Sequence, residues 1–145
     1  MEWFEEDELA RGIYEMMMAE DDLEIKKRHL GMESDFNFSD CFHMFDLSKT
    51  GYVTRRQFEE VYNLLQLYPS TLEVQLTLYR YDQDLNGKIS EEEFKEAVLS
   101  HDANYRDLVL KRQSYCTGMN HARLSFFLDT TTAKLKQTLQ LLIST

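Results

Sequence analysis

The sequence predicts an all-α protein: two helix–loop–helix units packed as a pair, an N-terminal helix before them and a C-terminal amphipathic helix after them. Three observations carry that prediction. Helical periodicity recurs along the chain with a single proline, Pro69, to interrupt it. Two stretches, DLSKTGYVTRRQ at Asp46–Gln57 and DQDLNGKISEEE at Asp82–Glu93, begin thirty-six residues apart and share a glycine and a following apolar residue at the same offsets, which makes them an internal repeat. A composition of 43% hydrophobic and 29% charged residues fits a globular chain rather than a disordered one, and 145 residues suffice for one compact domain.

Charge divides the chain into three parts: a helical extension at 1–33, the repeat pair at 34–102 and a basic segment at 103–145. The first two are each net seven negative and the third is net four positive. The extension has only Gly12 as a breaker between Trp3 and Leu30, so it reads as one helix, bent near Asp21 and Asp22. Leu9, Ile13, Met16, Met17, Leu23 and Leu30 supply its apolar positions, with Met16 to Met18 expected in a core. Acids crowd its start, and Lys26, Lys27, Arg28 and His29 crowd its end, which complements the helix dipole. Trp3 and Phe4 are expected to meet another chain or fold back.

The stretch Asp82–Glu93 has the spacing of a calcium loop. Calcium takes six to eight oxygens at roughly 2.3 to 2.6 Å in a flexible shell. Asp82, Asp84 and Asn86 each offer a side-chain oxygen, Lys88 its backbone carbonyl, Ser90 a direct or water-mediated oxygen and Glu93 two, while Gly87 makes the sharp turn. Ile89 is placed to face a partner loop. Magnesium is the other ion such a loop can hold at rest.

The stretch Asp46–Gln57 is weaker in the quantity that sets affinity, ligand charge. Its metal-facing positions are Asp46, Ser48, Thr50, Tyr52, Thr54 and Gln57, so one carboxylate remains and a neutral glutamine stands where the closing glutamate belongs. With Lys49, Arg55 and Arg56 this loop is net two positive, against net four negative for Asp82–Glu93. We expect it to be empty and structural, its Val53 facing Ile89 across a short antiparallel ladder. Phe38, Phe42 and Phe45 share one face of the helix before it. Ser70 and Glu73 form a capping box after Pro69.

In the basic segment, Asp107–Lys111 reads as a short helix, 113–123 as irregular and DTTTAKLKQTLQLLI as a helix beginning near Thr130. Leu128, Leu135, Leu139 and Leu142 make one apolar face with Lys134 and Lys136 beside it. Such a helix has two destinations, the chain's own acidic pair or an acidic partner such as a tubulin surface.

These motifs resemble the calmodulin superfamily, the paired EF-hands covering residues 36–100. More narrowly, DFNFSDCFHMFDLSKTGYV, LYPSTLEV and RYDQDLNGKISEEEF resemble EF-hand pair proteins of cilia and flagella. The resemblance implies a non-enzymatic calcium-binding adaptor or structural subunit of an axonemal microtubule assembly, with protein partners, in the cytoplasm or cilium. A mobile calcium sensor, calmodulin-like or light-chain-like, is the alternative. A third possibility uses the fold alone with no ion.

The remaining features bound the function. A net charge of ten negatives argues against nucleic acid. No apolar run is long enough to span a membrane, and MEWFEEDE lacks the basic and apolar regions of a signal peptide. Cys41 and Cys116 make neither a metal spacing nor a disulfide framework, which fits a reducing compartment. His29, His43, His101 and His121 have no HxxxH spacing, and no phosphate loop or nucleophile elbow is present, so no enzyme is expected.

Overall fold

The computed structural model describes residues 2–114 and 127–144, with side chains from residue 8 onward apart from positions 16 and 19. The side chains of Trp3, Phe4 and Met16, and the whole of 115–126 with Cys116 and His121, lie outside what is described. Helix α1 (Glu2–Gly31) is uninterrupted at Gly12 and at Asp21–Asp22, and its 30 residues span about 45 Å. Only its second half enters the core, through Leu23 and Leu30, and Lys27 is buried with them. Leu9, Ile13, Met17 and Met18 are exposed instead of packed, because no described element covers the first half of the helix.

The first helix–loop–helix unit consists of α2 (Phe38–Phe45), the strand β1 (Tyr52–Val53) and α3 (Arg55–Leu64). Asn37 starts α2 by accepting from the Asp40 N–H at 2.8 Å, while its own amide donates to Asp40 Oδ2 at 2.8 Å. The second unit repeats the plan with α4 (Thr71–Tyr81), β2 (Ile89–Ser90) and α5 (Glu91–Val98). Capping boxes at Thr54/Gln57, Ser70/Glu73 and Ser90/Glu93 set where α3, α4 and α5 begin.

The strands pair antiparallel with Val53 opposite Ile89, both buried, so the ladder joins the two loops back to back. Between the units, the Phe94 ring meets those of Phe38, Phe42 and Phe45 at centroid distances of 5.9, 5.3 and 4.9 Å. Such tilted and edge-on contacts add about 0.5–1.5 kcal/mol per pair beyond simple burial.

Helix α6 (Ala103–Lys111) starts earlier than Asp107, because Asp102 caps it by accepting from the Asn104 N–H at 2.9 Å. It lies close on the end of α1: a Cβ added at Gly31 would stand 3.2 Å from Val109 Cγ2. Helix α7 (Asp129–Ser144) runs antiparallel to α1, with Thr131 bonded to Asp35, Lys134 paired with Glu33 and the Thr138 hydroxyl 3.5 Å from the Lys26 carbonyl. Leu135, Leu139 and Leu142 are buried as the periodicity requires. Leu128 is not: it precedes the helix and is exposed, and Phe127 is buried in its stead, 5.4 Å from the Phe36 ring.

All three sequence segments feed one core. Leu142 lines a small apolar cavity together with Phe58, Leu78, Ile89, Phe94 and Ala97, so α7 fills the space between the two units. Among the described residues, no helix is long and apolar enough to cross a membrane.

Candidate metal centre

The second loop begins where α4 ends. Asp82, buried, accepts with Oδ1 from the Asn86 N–H at 3.2 Å and with Oδ2 from the Gly87 N–H at 2.7 Å, which curls the loop around its first carboxylate. Gly87 has φ +80 and Leu85 has φ 54; the first is the conformation only glycine adopts freely, the second a strained turn at a leucine. Glu93, three residues into α5's capping box, reaches back across the loop. Its Oε1 accepts from the Ser90 N–H at 2.9 Å, and its Oε2 accepts from the Gln83 N–H at 2.6 Å and the Asp84 N–H at 3.3 Å.

Three carboxylates converge as a result: one oxygen each from Asp82, Asp84 and Glu93 lies within 4.8 Å of the others. Asn86 sits at the edge, its amide donating to Asp84 Oδ2 at 3.3 Å and its Oδ1 accepting from the Lys88 N–H at 3.0 Å. Ser90 accepts from the Glu93 N–H at 3.2 Å as the cap of α5. The Lys88 side chain turns to the neighbouring loop, with Nζ 5.6 Å from the Tyr52 ring centre.

The electrostatics are those of a crowded anionic cluster. At Asp84, partial desolvation, a hydrogen bond with Asp82 and the charges of Glu93 and Asp82 hold the carboxyl above its ordinary range. At Glu93, burial acts in the same direction, but backbone N–H groups of Ser90, Asp84 and Gln83 outweigh it and keep the carboxyl low. An oxygen-only, anionic donor set of this kind fits a hard divalent cation. Asp82, Asp84, Asn86 and Glu93 would hold it by side chains, Lys88 by its carbonyl, and Ser90 directly or through water.

The first loop has the same backbone and a different centre. Gly51 has φ 87 and Lys49 φ 57, matching Gly87 and Leu85. Asp46 accepts from the Thr50 N–H at 3.1 Å and the Gly51 N–H at 2.8 Å, as Asp82 does from its own loop. The Thr50 hydroxyl stands 3.1 Å from both Asp46 Oδ1 and the Tyr52 carbonyl.

Gln57 then closes the loop with hydrogen bonds of its own. Its Oε1 accepts from the Thr54 N–H at 2.9 Å, and its Nε2 donates to Ser48 Oγ at 3.2 Å. The amide places a donor where a glutamate would present an acceptor to a metal.

Residues 35–99 match the family model of the EF-hand domain pair. This part of the chain is an EF-hand pair. No curated protein and no solved structure matches the chain.

One set of contacts beside the EF-hand pair was not anticipated. Lys27, read from sequence as one of four bases at a helix end, is buried and donates to the Glu96 carbonyl at 3.1 Å. Burial pulls its ammonium down to about 8, against the opposing pull of Glu24 and Glu96. Nearby, Glu24 bonds the Ser100 hydroxyl and accepts from the His101 N–H at 2.9 Å, and Arg106 pairs with Glu96 at 2.7 Å. These contacts tie α1 to the exit of the second hand. A signal existed in the sequence: Lys27 falls on the heptad face of Leu23 and Leu30.

Proposed function

We propose that this chain is a calcium-binding EF-hand adaptor or structural subunit, without enzymatic activity, that takes one ion on Asp82, Asp84, Asn86, Lys88, Ser90 and Glu93. The observation that carries the reading is the filled space between the hands: Leu142 of α7 shares a cavity with Ile89 and Phe94, so the pair already holds a helix of its own. A module with its target surface occupied is suited to constitutive attachment. The likeness of its loop and aromatic motifs to ciliary EF-hand proteins supports an axonemal, microtubule-associated setting.

Magnitudes agree with a stabilising ion. Calcium at about a hundred times its dissociation constant stabilises the fold by roughly 2.7 kcal/mol, whereas turning a mostly closed protein into a mostly open one needs about 5.5 kcal/mol of differential binding. One site with one silent neighbour reaches the first figure more readily than the second.

Isothermal titration tests the ion. A single binding event that disappears in Glu93→Gln is expected, and absence of heat in the unaltered protein sinks the calcium assignment. Localisation of the tagged chain in ciliated cells, with cross-linking, tests the setting; a diffuse cytoplasmic pool without axonemal cross-links rejects it.

The sensor reading draws on the same cavity, since a lid touching the β-strand side of the metal loop is placed to respond to occupancy. It requires dye-accessible apolar surface to rise when calcium is added. The adaptor reading requires no such rise.

A further inference from the structure

We infer that the first half of α1 is a docking surface for a basic amphipathic helix of a partner protein, seated on Leu9, Ile13 and Met17. The inference rests on the adaptor reading and names the surface by which the adaptor attaches. Its starting point is register. Leu9 lies two heptads before Leu23, and Ile13 lies two heptads before Lys27, so the exposed stripe continues the buried one along the helix with a drift of about 40°. Over the second half that face is buried; over the first, Leu9 is 65% exposed, Ile13 50% and Met17 58%. Tyr14 and Met18 are exposed beside them.

The chain itself shows what kind of element this face accepts. Helix α7 lies along the second half, where its Thr138 hydroxyl stands 3.5 Å from the Lys26 carbonyl and its Lys134 pairs with Glu33. Where α7 reaches Ser144, a cleft of about 650 Å³ opens between it and α1, lined by Gly12, Glu15, Asp21, Tyr81 and Ser144. A second helix laid on Leu9, Ile13 and Met17 would sit beside this cleft, beyond the end of α7.

Charge selects the occupant. Residues 2–22 hold nine acidic side chains against Arg11 alone. A second copy of α1 would bring two such surfaces together and be repelled, whereas lysines flanking an apolar stripe meet complementary charge. Methionines at the centre suit a seat that adapts to its occupant. None of Leu9, Ile13 and Met17 belongs to the metal loop, so the seat is assembled without the ion and occupancy by this partner is independent of calcium.

The test uses the full chain and a fluorescent eighteen-residue model helix with leucines at helical spacing and lysines elsewhere. Saturable binding is expected with calcium or with chelator, weakening as salt rises, and at least tenfold weaker in the double variant Ile13→Ser/Met17→Ser. Both positions are exposed, so the variant keeps its circular dichroism spectrum and its calcium titration; that titration also keeps a failure of calcium binding separate from a failure of docking. A control on another exposed apolar face, Leu72→Ser/Leu76→Ser, leaves binding intact.

Four results overturn the inference: affinity unchanged in Ile13→Ser/Met17→Ser, equal binding of a peptide with glutamates for lysines, no binding of the lysine peptide, or self-association of the full chain that the double variant abolishes. If the affinity that is unchanged in the double variant also needs calcium, the peptide is displacing α7 from the EF-hand pair.

Discussion

The Tyr62 hydroxyl donates a buried hydrogen bond of 2.8 Å to the carbonyl of Leu139, joining the exit helix of the first hand to the helix that fills the space between the hands. Tyr62 is fully buried and its ring lies 4.5 Å from that of Phe58, so the bond is made without competition from water. Removing the hydroxyl in Tyr62→Phe should cost about 1–2 kcal/mol of stability. Urea denaturation measures it, and an unchanged midpoint would show that the bond does not hold α7.

Truncating Leu142 attacks the same contact from the other side. Leu142→Ala removes a fully buried side chain against Phe58, Ile89 and Phe94 and should cost about 2–5 kcal/mol. Binding of an apolar dye should increase in parallel. A variant that loses stability without gaining dye binding would place the damage in the core and leave the lid seated.

The two loops should respond oppositely to a carboxylate–amide exchange. Glu93→Gln removes an anion from the three-carboxylate cluster and should abolish calcium binding. Gln57→Ala breaks the bonds to Ser48 and Thr54 and should lower stability by about 1 kcal/mol, leaving calcium stoichiometry unchanged. Titration calorimetry on both variants decides the matter; a change of stoichiometry in Gln57→Ala would mean the first loop also binds.

Lys27 gives a pH signature. Its ammonium titrates near 8 in the folded protein and near its ordinary 10.5 when unfolded, so between those values the unfolded chain binds more protons. Stability should therefore rise with pH across that window, and below about pH 8 the folded state bears the full cost of a buried charge. Lys27→Met should remove the slope and stabilise the protein at neutral pH by roughly 1–3 kcal/mol. Thermal denaturation at a series of pH values checks the sign.

Calcium binding should expel protons under mildly acidic conditions. The Asp84 carboxyl is held above its ordinary range by desolvation and by its anionic neighbours, so it is still partly protonated where an isolated aspartate is ionised. Affinity should fall as pH is lowered through that raised value. Titrations in buffers of different ionisation heat would expose the released proton, and buffer-independent heats would refute it.

The loops were legible because their chemistry is local: Asp82, Gly87 and Glu93 act within one turn of chain, and spacing alone brings their groups together. Capping boxes were legible for the same reason, Ser70 and Glu73 being three residues apart. Periodicity was a weaker guide, because it identifies an apolar face and not what lies against it. Leu23 and Leu9 have the same pattern, yet one is buried and the other exposed, since the difference depends on where α7 runs. Leu128 failed because the helix begins after it, and it is Phe127 that is buried, its ring 5.4 Å from that of Phe36. Lys27 was hidden by its charge: a lysine on a core face reads as surface until a carbonyl such as that of Glu96 is found waiting for it.

The antiparallel seating of α7 on α1 has a consequence for synthesis. Thr131 reaches back ninety-six residues to Asp35, and Lys134 reaches back one hundred and one to Glu33. During translation the two hands leave the ribosome well before the helix that covers them, at about 5–20 residues per second. For several seconds the nascent pair presents an open apolar trough. Contacts of such long separation also slow folding. A stretch made after the two hands is thus the one that turns a sticky intermediate into a covered surface, and a ribosome stalled short of it would release a chain disposed to aggregate.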